Sequence, residues 1–308
     1  MSAPAPAPAT APTTRKADDT DTDSDAPPSK KHRTSGKYTE NGLADRMKKY
    51  ETATDMQLPA NQPAIIRIDG HAFSTFTKGF QKPFDERIHV AMAATAADLL
   101  THFPAASLVY TISDEITVVF PTGPREFKGR VAKLGSLAAG LASARFNYHL
   151  VHTAVGVPPE KVGSAHFDAR TFSLPAIDEV LYNLIWRAKI DGKRNSISGF
   201  GRQYYSAKEL HGLGGNLVVE KVLREKGVDY WTATPSWARY GSTVKREQFQ
   251  GTGVDGLTGK PVTMTRTRSR AEDMQWWDFN ETNLALIRDK FWPKPPEEIE
   301  KKEEENKV

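Results

Sequence analysis

No cysteine occurs among the 308 residues, which excludes a disulfide framework, a zinc ribbon and a thiol nucleophile. No apolar run approaches the roughly 20 residues that crossing a membrane requires. A soluble, intracellular protein is therefore expected, cytoplasmic or nuclear, with a mitochondrial location left open. Residues 1 to 36 lack anything that could build a core: alternating Ala and Pro give way to Asp18, Asp19, Asp21, Asp23 and Asp25, and then to Lys30-Lys31-His32-Arg33. That composition predicts a disordered tail. Its acids argue against an organellar transit peptide, and it has no secretory apolar segment. The basic run reads as an import patch, as an arm touching RNA, or as neither. From Pro293 onward four lysines and six glutamates make a second, charged tail.

What remains is long enough for one large domain or two small ones, and 38% hydrophobic residues supply a sizeable core. The formal charge of +4 becomes about +6 once both tails are set aside. A moderately basic core suits a polyanionic partner, although many soluble enzymes are equally basic.

The stretch Ile65-Ile66-Arg67-Ile68 reads as a buried strand, and Asp69-Gly70 falls where it should end. A carboxylate there is costly to desolvate, so it needs a cation, a cap or a metal as partner. Capping the following turn is the plain alternative. A second acid favours the metal, because Leu108 to Ile112 and Ile116 to Phe120 read as strands flanking the hairpin tip Ser113-Asp114-Glu115. Between the two acids, Asp85 can cap a helix whose Ile88, Met92, Ala96, Leu99 and Phe103 recur along one face. A right-handed crossover then brings Asp69 and Asp114 face to face. Two carboxylates with the Gly70 carbonyl beside them suit hard cations, and magnesium takes one or two carboxylates plus substrate phosphates. A polymerase palm uses that arrangement, with two ions about 3.5 to 4 Å apart on an in-line phosphoryl transfer.

These residues resemble a known family. Arg67-Ile68-Asp69-Gly70-His71-Ala72-Phe73, Lys82-Pro83-Phe84-Asp85 and Ser113-Asp114-Glu115 are similar to motifs of the tRNA-histidine guanylyltransferases and their guanylyltransferase-like relatives. Phe167-Asp168-Ala169-Arg170, Arg194-Asn195-Ser196, Gly259-Lys260 and Thr265-Arg266-Thr267-Arg268 follow in family order, so the resemblance runs from about Tyr38 to Phe279. It implies Asp69 and Asp114 as catalytic residues, two magnesium ions held with Gly70, and ATP and GTP or other nucleoside triphosphates as substrates. The nucleotide would meet His71, Ala72, Phe73 and Ser74, then Lys82 and Ser113, and the basic pair Arg130 and Lys133. Asp191, Lys193, Arg194 and Asn195 would serve 5′-end activation; Arg239, Arg266 and Arg268 would touch RNA. The resemblance further implies tRNA as partner and a homotetramer.

Each of these positions also has a reading of its own. Amides after Gly70 can cradle phosphate, while Phe73 and Phe76 equally suit a core. Lys82 by itself is a surface lysine in a loop. A helix over Phe127 to Leu150, with Val131, Leu134, Ala138 and Leu141 inward, has Arg130 and Lys133 in its first turns, where cations do not help the dipole. A strand at Ala165 to Ala169 completes a β-α-β-β-α-β palm. Tyr38 to Tyr50 suits a helix on the first domain, through Leu43, Met47 and Tyr50. In the second half Asp178 caps a helix with Leu181, Leu184, Ile185 and Ala188 inward. Its later cations fit RNA phosphate or a solvated helix end. Ser206 to Glu209 is a capping box. Gly251 to Gly259 reads as a loop. Thr263 to Arg270 alternates, so Arg266, Arg268 and Arg270 share a strand face, uncompensated, for phosphate contact or edge protection. Trp276 and Trp277 read as packing, and Tyr240 as a partly buried strand aromatic or a base platform.

The match has departures. Guanylate-adding eukaryotic members have His-Ile-Asn-Asn where this chain has Lys193-Arg194-Asn195-Ser196, the form of the guanylyltransferase-like branch. The stretch from Trp186 to Asp191 is one residue longer than the usual pattern, which would turn later side chains by roughly 100° in a continuous helix; that puts Arg187 in doubt. The expected architecture is α+β: a 1–36 tail, a palm-like (ferredoxin-like) catalytic domain over 37–170, a C-terminal helical and β domain over 171–292, and a 293–308 tail. The expected activity is template-directed 3′-to-5′ nucleotide addition that repairs a tRNA 5′ end. A dedicated single-guanylate transferase, a palm-type nucleotide cyclase and a non-catalytic RNA-binding protein are the alternatives.

Overall fold

The computed structural model describes residues 40–153, 155–274 and 277–293. The tail expected over residues 1 to 36, the charged tail beyond Pro293, and Trp276 lie outside the described residues. The chain divides into two compact units after Ala53. The first contributes α1, Glu40–Thr52, the helix that the Leu43, Met47 and Tyr50 spacing predicts. The second carries every other element. Its first half runs β1 (Ala64–Gly70), α2 (Phe73–Phe76), α3 (Glu86–His102), β2 (Leu108–Ile112), β3 (Glu115–Phe120), α4 (Val131–Thr153) and β4 (Phe167–Ser173). Then come α5 (Ile177–Ile185), a π-helical segment (Trp186–Gly192), α6 (Lys193–Gly201), α7 (Ala207–Leu210), α8 (Gly215–Lys226), α9 (Tyr230–Ala233) and α10 (Ser236–Tyr240). The long strands β5 (Ser242–Val254) and β6 (Pro261–Asp273) and helix α11 (Glu281–Arg288) complete it.

Six strands form one antiparallel sheet in the order β4-β1-β3-β2-β5-β6. The β-α-β-β-α-β run is present. The sheet does not stop near residue 170, because β5 pairs with β2 and so extends the first half's sheet with strands from the second. Alternation along the strands sorts the core into two layers. Ile66, Ile68, Val109 and Val118 join the layer of α3 and α4. Ile65, Leu108, Tyr110 and Val119 join the opposite layer, with α5, α11 and the fully buried Trp277, whose ring meets Tyr110 edge-on at 6.1 Å. Asp85 caps α3 by accepting from the Arg87 amide at 3.0 Å, and Met92, Ala96 and Leu99 are buried below it.

Two neighbouring cations of β5 finish helices on the two faces. The Lys245 ammonium donates to the Leu286 and Asp289 carbonyls at 2.6 and 2.5 Å, at the end of α11. The Arg246 guanidinium donates to the Leu100 and Ala106 carbonyls at 2.5 and 2.6 Å, at the end of α3. Both complement the negative end of a helix. Burial pulls Lys245 down to about 8.

Several expectations need correcting. The helix expected from Phe127 begins at Val131, because Phe127 and Lys128 have φ of 51° and 55°. That segment pairs with a neighbouring loop instead: Leu58 donates to the Gly129 carbonyl and Val131 to the Met56 carbonyl, both at 2.9 Å. Asp178 does not cap α5; Ala176 holds the cap position and Asp178 lies in the first turn. Gly251 and Gly253 belong to β5, so the loop shrinks to the residues between Val254 and Pro261. Tyr240 ends a short helix rather than lying on a strand. The Ser206 capping box forms.

Candidate active site

Register decides what the acids can do. Asp69 stands opposite Glu115 on β3 and opposite Asp168 on β4, and directly opposed residues of an antiparallel sheet share a face. Asp114 occupies the two-residue turn between β2 and β3, beside Ser113, whose φ is 55°. The Asp114 carbonyl accepts from the Gly70 amide at 3.0 Å, which pins the turn to the end of β1. Asp69 and Asp114 are thereby close enough for their charges to interact. Burial pushes the Asp114 carboxyl up, and the charge of Asp69 pushes it further, against the lowering effects of Ser113 and Arg187.

Glu115 is the acid whose role the sequence did not disclose. It is buried, and the guanidinium of Arg187 lies across it, with Nε donating to Oε1 at 2.6 Å and Nη2 donating to Oε2. Arg67 stands 3.9 Å from the same carboxylate. Arg187 also donates through Nη1 to Asp191 at 2.5 Å. One guanidinium therefore ties the sheet to the helix that carries the expected activation residues. The additional residue between Trp186 and Asp191 does not rotate this helix out of place, because the π-helical segment closes i→i+5 and takes up one residue within a turn. Gly192 makes the approach possible: a Cβ there would fall 2.3 Å from Ile112 Cδ1 and 3.0 Å from the Arg187 carbonyl. Arg187, doubtful from the sequence, stands at the centre of the site.

Among the described residues, Asp69 and Asp114 make no ion pair in the cleft, where Glu115 and Asp191 both pair with Arg187. Their donor set, two carboxylates with a backbone carbonyl adjoining, fits a hard divalent cation. No group of three His, Cys, Asp or Glu side chains converges among the described residues. A cation here would thus complete its shell with water and phosphate oxygens, as magnesium does.

Beside the acids the chain turns sharply through Ala72, at φ 50° and ψ 35°, into the single turn α2. The Gly70 and His71 amides are engaged, by the carbonyls of Asp114 and His166. The cradle expected from Gly70 to Ser74 therefore narrows to Ala72, Phe73 and Ser74, at the start of α2, where helical amides have no acceptor within the helix. The Phe73 side chain is core, packed on Phe76, Phe146 and Phe167. His71 stacks on His166 at 4.8 Å. Two adjoining cavities of about 310 and 400 Å³ share Asp114, Asn195, Phe84 and Trp237 and make one cleft. Phe73, Ser74, Lys82 and Ser113 line its first lobe. Asp69, Arg187, Asp191 and Arg194 line its second. Trp237 and His89, stacked at 4.3 Å and 6°, also face the first lobe; nothing in their sequence spacing marks them.

Other expected site residues lie elsewhere. Arg130 is 3.6 Å from Asp55, and α4 runs from it toward Ser143, whose hydroxyl accepts from Phe167 opposite Gly70. At 1.5 Å per residue that leaves Arg130 and Lys133 roughly 15 to 20 Å from the acids of the same chain. They do not line this cleft. Lys193 turns the other way, its ammonium 5.6 Å over the Trp231 ring, and Arg239 lies over the same ring at 5.7 Å. The arginine row of β6 is largely compensated: Arg268 and Arg270 pair with Glu247, whereas Arg266 donates to the Thr252 carbonyl at 3.1 Å.

Comparison with known proteins gives a consistent picture. Residues 44–175 match the family model described as tRNAHis guanylyltransferase. A solved bacterial tRNA(His) guanylyltransferase (Thg1)-like protein in complex with ATP is 30% identical, with a TM-score of 0.67, covering 80% of this chain and 98% of that one. A bacterial Thg1-like protein in complex with GTP is also 30% identical, with a TM-score of 0.56, over 75% of this chain and 91% of the other. The tRNA(His) guanylyltransferase of Neurospora crassa is 23% identical over 83% of this chain and 94% of its own length. No helix among the described residues is long and apolar enough to cross a membrane.

Proposed function

Since this chain belongs to the tRNA(His) guanylyltransferase family, its Thg1-like branch included, we propose that it is a template-directed 3′-to-5′ nucleotidyltransferase that repairs the 5′ ends of tRNA. The observation that carries the reading is the convergence of Asp69 and Asp114 in one cleft, between Ser74 and Lys82 on one side and Asp191, Arg194 and Asn195 on the other. Lys193-Arg194-Asn195-Ser196, in place of His-Ile-Asn-Asn, favours repair over dedicated guanylate addition. The palm architecture belongs to this reading, since the β-α-β-β-α-β run brings the end of β1 and the β2–β3 turn, each with its acid, to the same end of the sheet.

Asp69, Asp114 and the Gly70 carbonyl would hold two magnesium ions, which when bound offset charge on the attacking and leaving oxygens of an in-line transfer. The amides of Ala72, Phe73 and Ser74, with Lys82 and Ser113, would bind the triphosphate, and His71 would border it. Asp191, Arg194 and Asn195 would hold the RNA end in the cleft, and Lys193, Arg239, Arg266 and Arg268 would extend the contact with RNA beyond it. In the first step an oxygen of the RNA 5′-monophosphate attacks the α-phosphorus of ATP, and pyrophosphate leaves. In the second, the 3′-hydroxyl of an incoming nucleoside triphosphate attacks the activated 5′-phosphorus, releases its proton and expels AMP. The side chains act by positioning and by charge stabilisation.

The test is a 5′-truncated tRNA with a labelled 5′-monophosphate, incubated with ATP, all four nucleoside triphosphates and magnesium. Extension that follows the opposite strand, and that disappears in Asp69→Ala/Asp114→Ala, is expected. Addition of a single guanylate, to histidine tRNA alone, would refute repair in favour of the dedicated activity. The family resemblance also implies a homotetramer, which light scattering on the full chain checks.

A further inference from the structure

A second cavity, of about 620 Å³, lies against the opposite face of α6 from the acids. Its lining includes Lys189, Lys193 and Arg194 and contains no Asp or Glu. These cations sit in the middle of a helical run that continues from Ile177 to Gly201, so neither end of the helix dipole explains them. Lys189 pairs with Asp278, and Lys193 lies over Trp231. Arg194 reaches Asp191 at 3.0 Å, yet its side chain is 69% exposed. Next to them three aliphatic side chains stand at the surface: Ile190, Leu213 and Leu217, with exposures of 58%, 36% and 53%.

We infer that this cavity seats a nucleotide of the RNA strand adjoining the 5′ end, its base on Ile190, Leu213 and Leu217 and its phosphate at Lys193 and Arg194. The inference rests on the functional reading above. Arg194 lines both this cavity and the lobe of the catalytic cleft that contains Asp191 and Asn195. Helix α6 is thus a partition, and a strand whose end lies by Asn195 reaches the second cavity by passing over Arg194. A site for a simple anion has no use for exposed aliphatic surface, and an apolar docking patch has no use for three cations along its wall. A nucleotide needs both, because its phosphate is charged and its base presents an apolar face.

The experiment measures binding of a 5′-monophosphorylated RNA tetranucleotide, labelled at its 3′ end, of GMP and of ATP to the full chain and to Leu217→Glu and Leu213→Glu. Both positions are exposed enough to accept a carboxylate without loss of core. The tetranucleotide Kd should rise on the order of tenfold in each variant, with ATP affinity held within twofold. Lys193→Gln should reduce the salt dependence of tetranucleotide binding by about one unit of slope. Tetranucleotide binding within twofold of wild type in both variants would overturn the inference, as would equal losses for ATP and RNA. A loss for GMP as large as for the tetranucleotide would also overturn it, since the cavity would then take a free mononucleotide. A wild-type chain that extends RNA while Leu217→Glu does so equally well sinks the inference alone; one that binds ATP but no RNA sinks the functional reading with it.

Discussion

Replacing Arg187 by Met should be among the most damaging single changes near the site, and the reason is the carboxylate it leaves behind. The Glu115 side chain is 6% exposed and that of Arg187 15%. Without the guanidinium, the ion pairs left among the described residues are Arg67 for Glu115, at 3.9 Å, and the exposed Arg194 for Asp191. Breaking a buried pair from one side costs about 3 to 5 kcal/mol, because the remaining charge stays desolvated. Removing both charges costs much less, so Glu115→Gln/Arg187→Met should be more stable than Arg187→Met, with a coupling of about 2 to 3 kcal/mol. The exposed pair Arg288 and Glu281, 47% and 76% accessible, is the control and should couple by less than about 1 kcal/mol. Urea unfolding followed by tryptophan fluorescence gives all of these values, provided the m-values agree. A loss under about 1 kcal/mol for Arg187→Met, or no coupling, would refute the claim that one guanidinium joins sheet and helix.

Three further outcomes are expected. Gly241 has φ 77° and ψ −170°, and a Cβ there would lie 2.5 Å from the Thr111 carbonyl; Gly241→Ala should cost at least 1 to 3 kcal/mol from backbone strain, measured as a lowered urea midpoint. Lys245 loses its proton in the folded chain near 8 rather than 10.5, so the native state binds fewer protons between those values and stability rises with pH there. Relative to Lys245→Met, wild type should gain about 2 kcal/mol between pH 7 and 9.5, and a flat difference would contradict the burial argument. Deleting Ile190, a 58% exposed residue of the π-helical segment, should give a regular helix that unfolds within about 1 kcal/mol of wild type and binds ATP as well as wild type does, with RNA affinity lowered by the loss of Ile190 from the second cavity, whereas inserting Ala after Ile190 should abolish extension by rotating Asn195 away.

The β-α-β-β-α-β order and the two acids were legible because they rest on local signals: runs of β-branched and apolar residues in β1 to β3, the Asp85 cap, and acids at the end of β1 and in the turn between β2 and β3. What escaped was set by partners distant in sequence. Glu115 looked like part of a hairpin tip, and its engagement depends on Arg187, 72 residues later. The apparent misfit between Trp186 and Asp191 is resolved by a π-turn, which periodicity cannot distinguish from a helix with one residue too many. Arg130 and Lys133 illustrate the converse. Their position along the chain suggested phosphate, but α4 starts at the far end of β4 and runs toward the acids, so an early residue in that helix is a distant one in space. The arginine row of β6 was read as uncompensated because its acid, Glu247, sits on the neighbouring strand and is visible only once the β5 and β6 register is known. Site residues within one strand and its turn can therefore be read from sequence with some safety, whereas those recruited from a helix depend on the direction in which that helix crosses the sheet. For this chain that places the weight of any functional test on Asp69, Asp114 and Arg187, which meet across three elements and whose joint geometry no single stretch encodes.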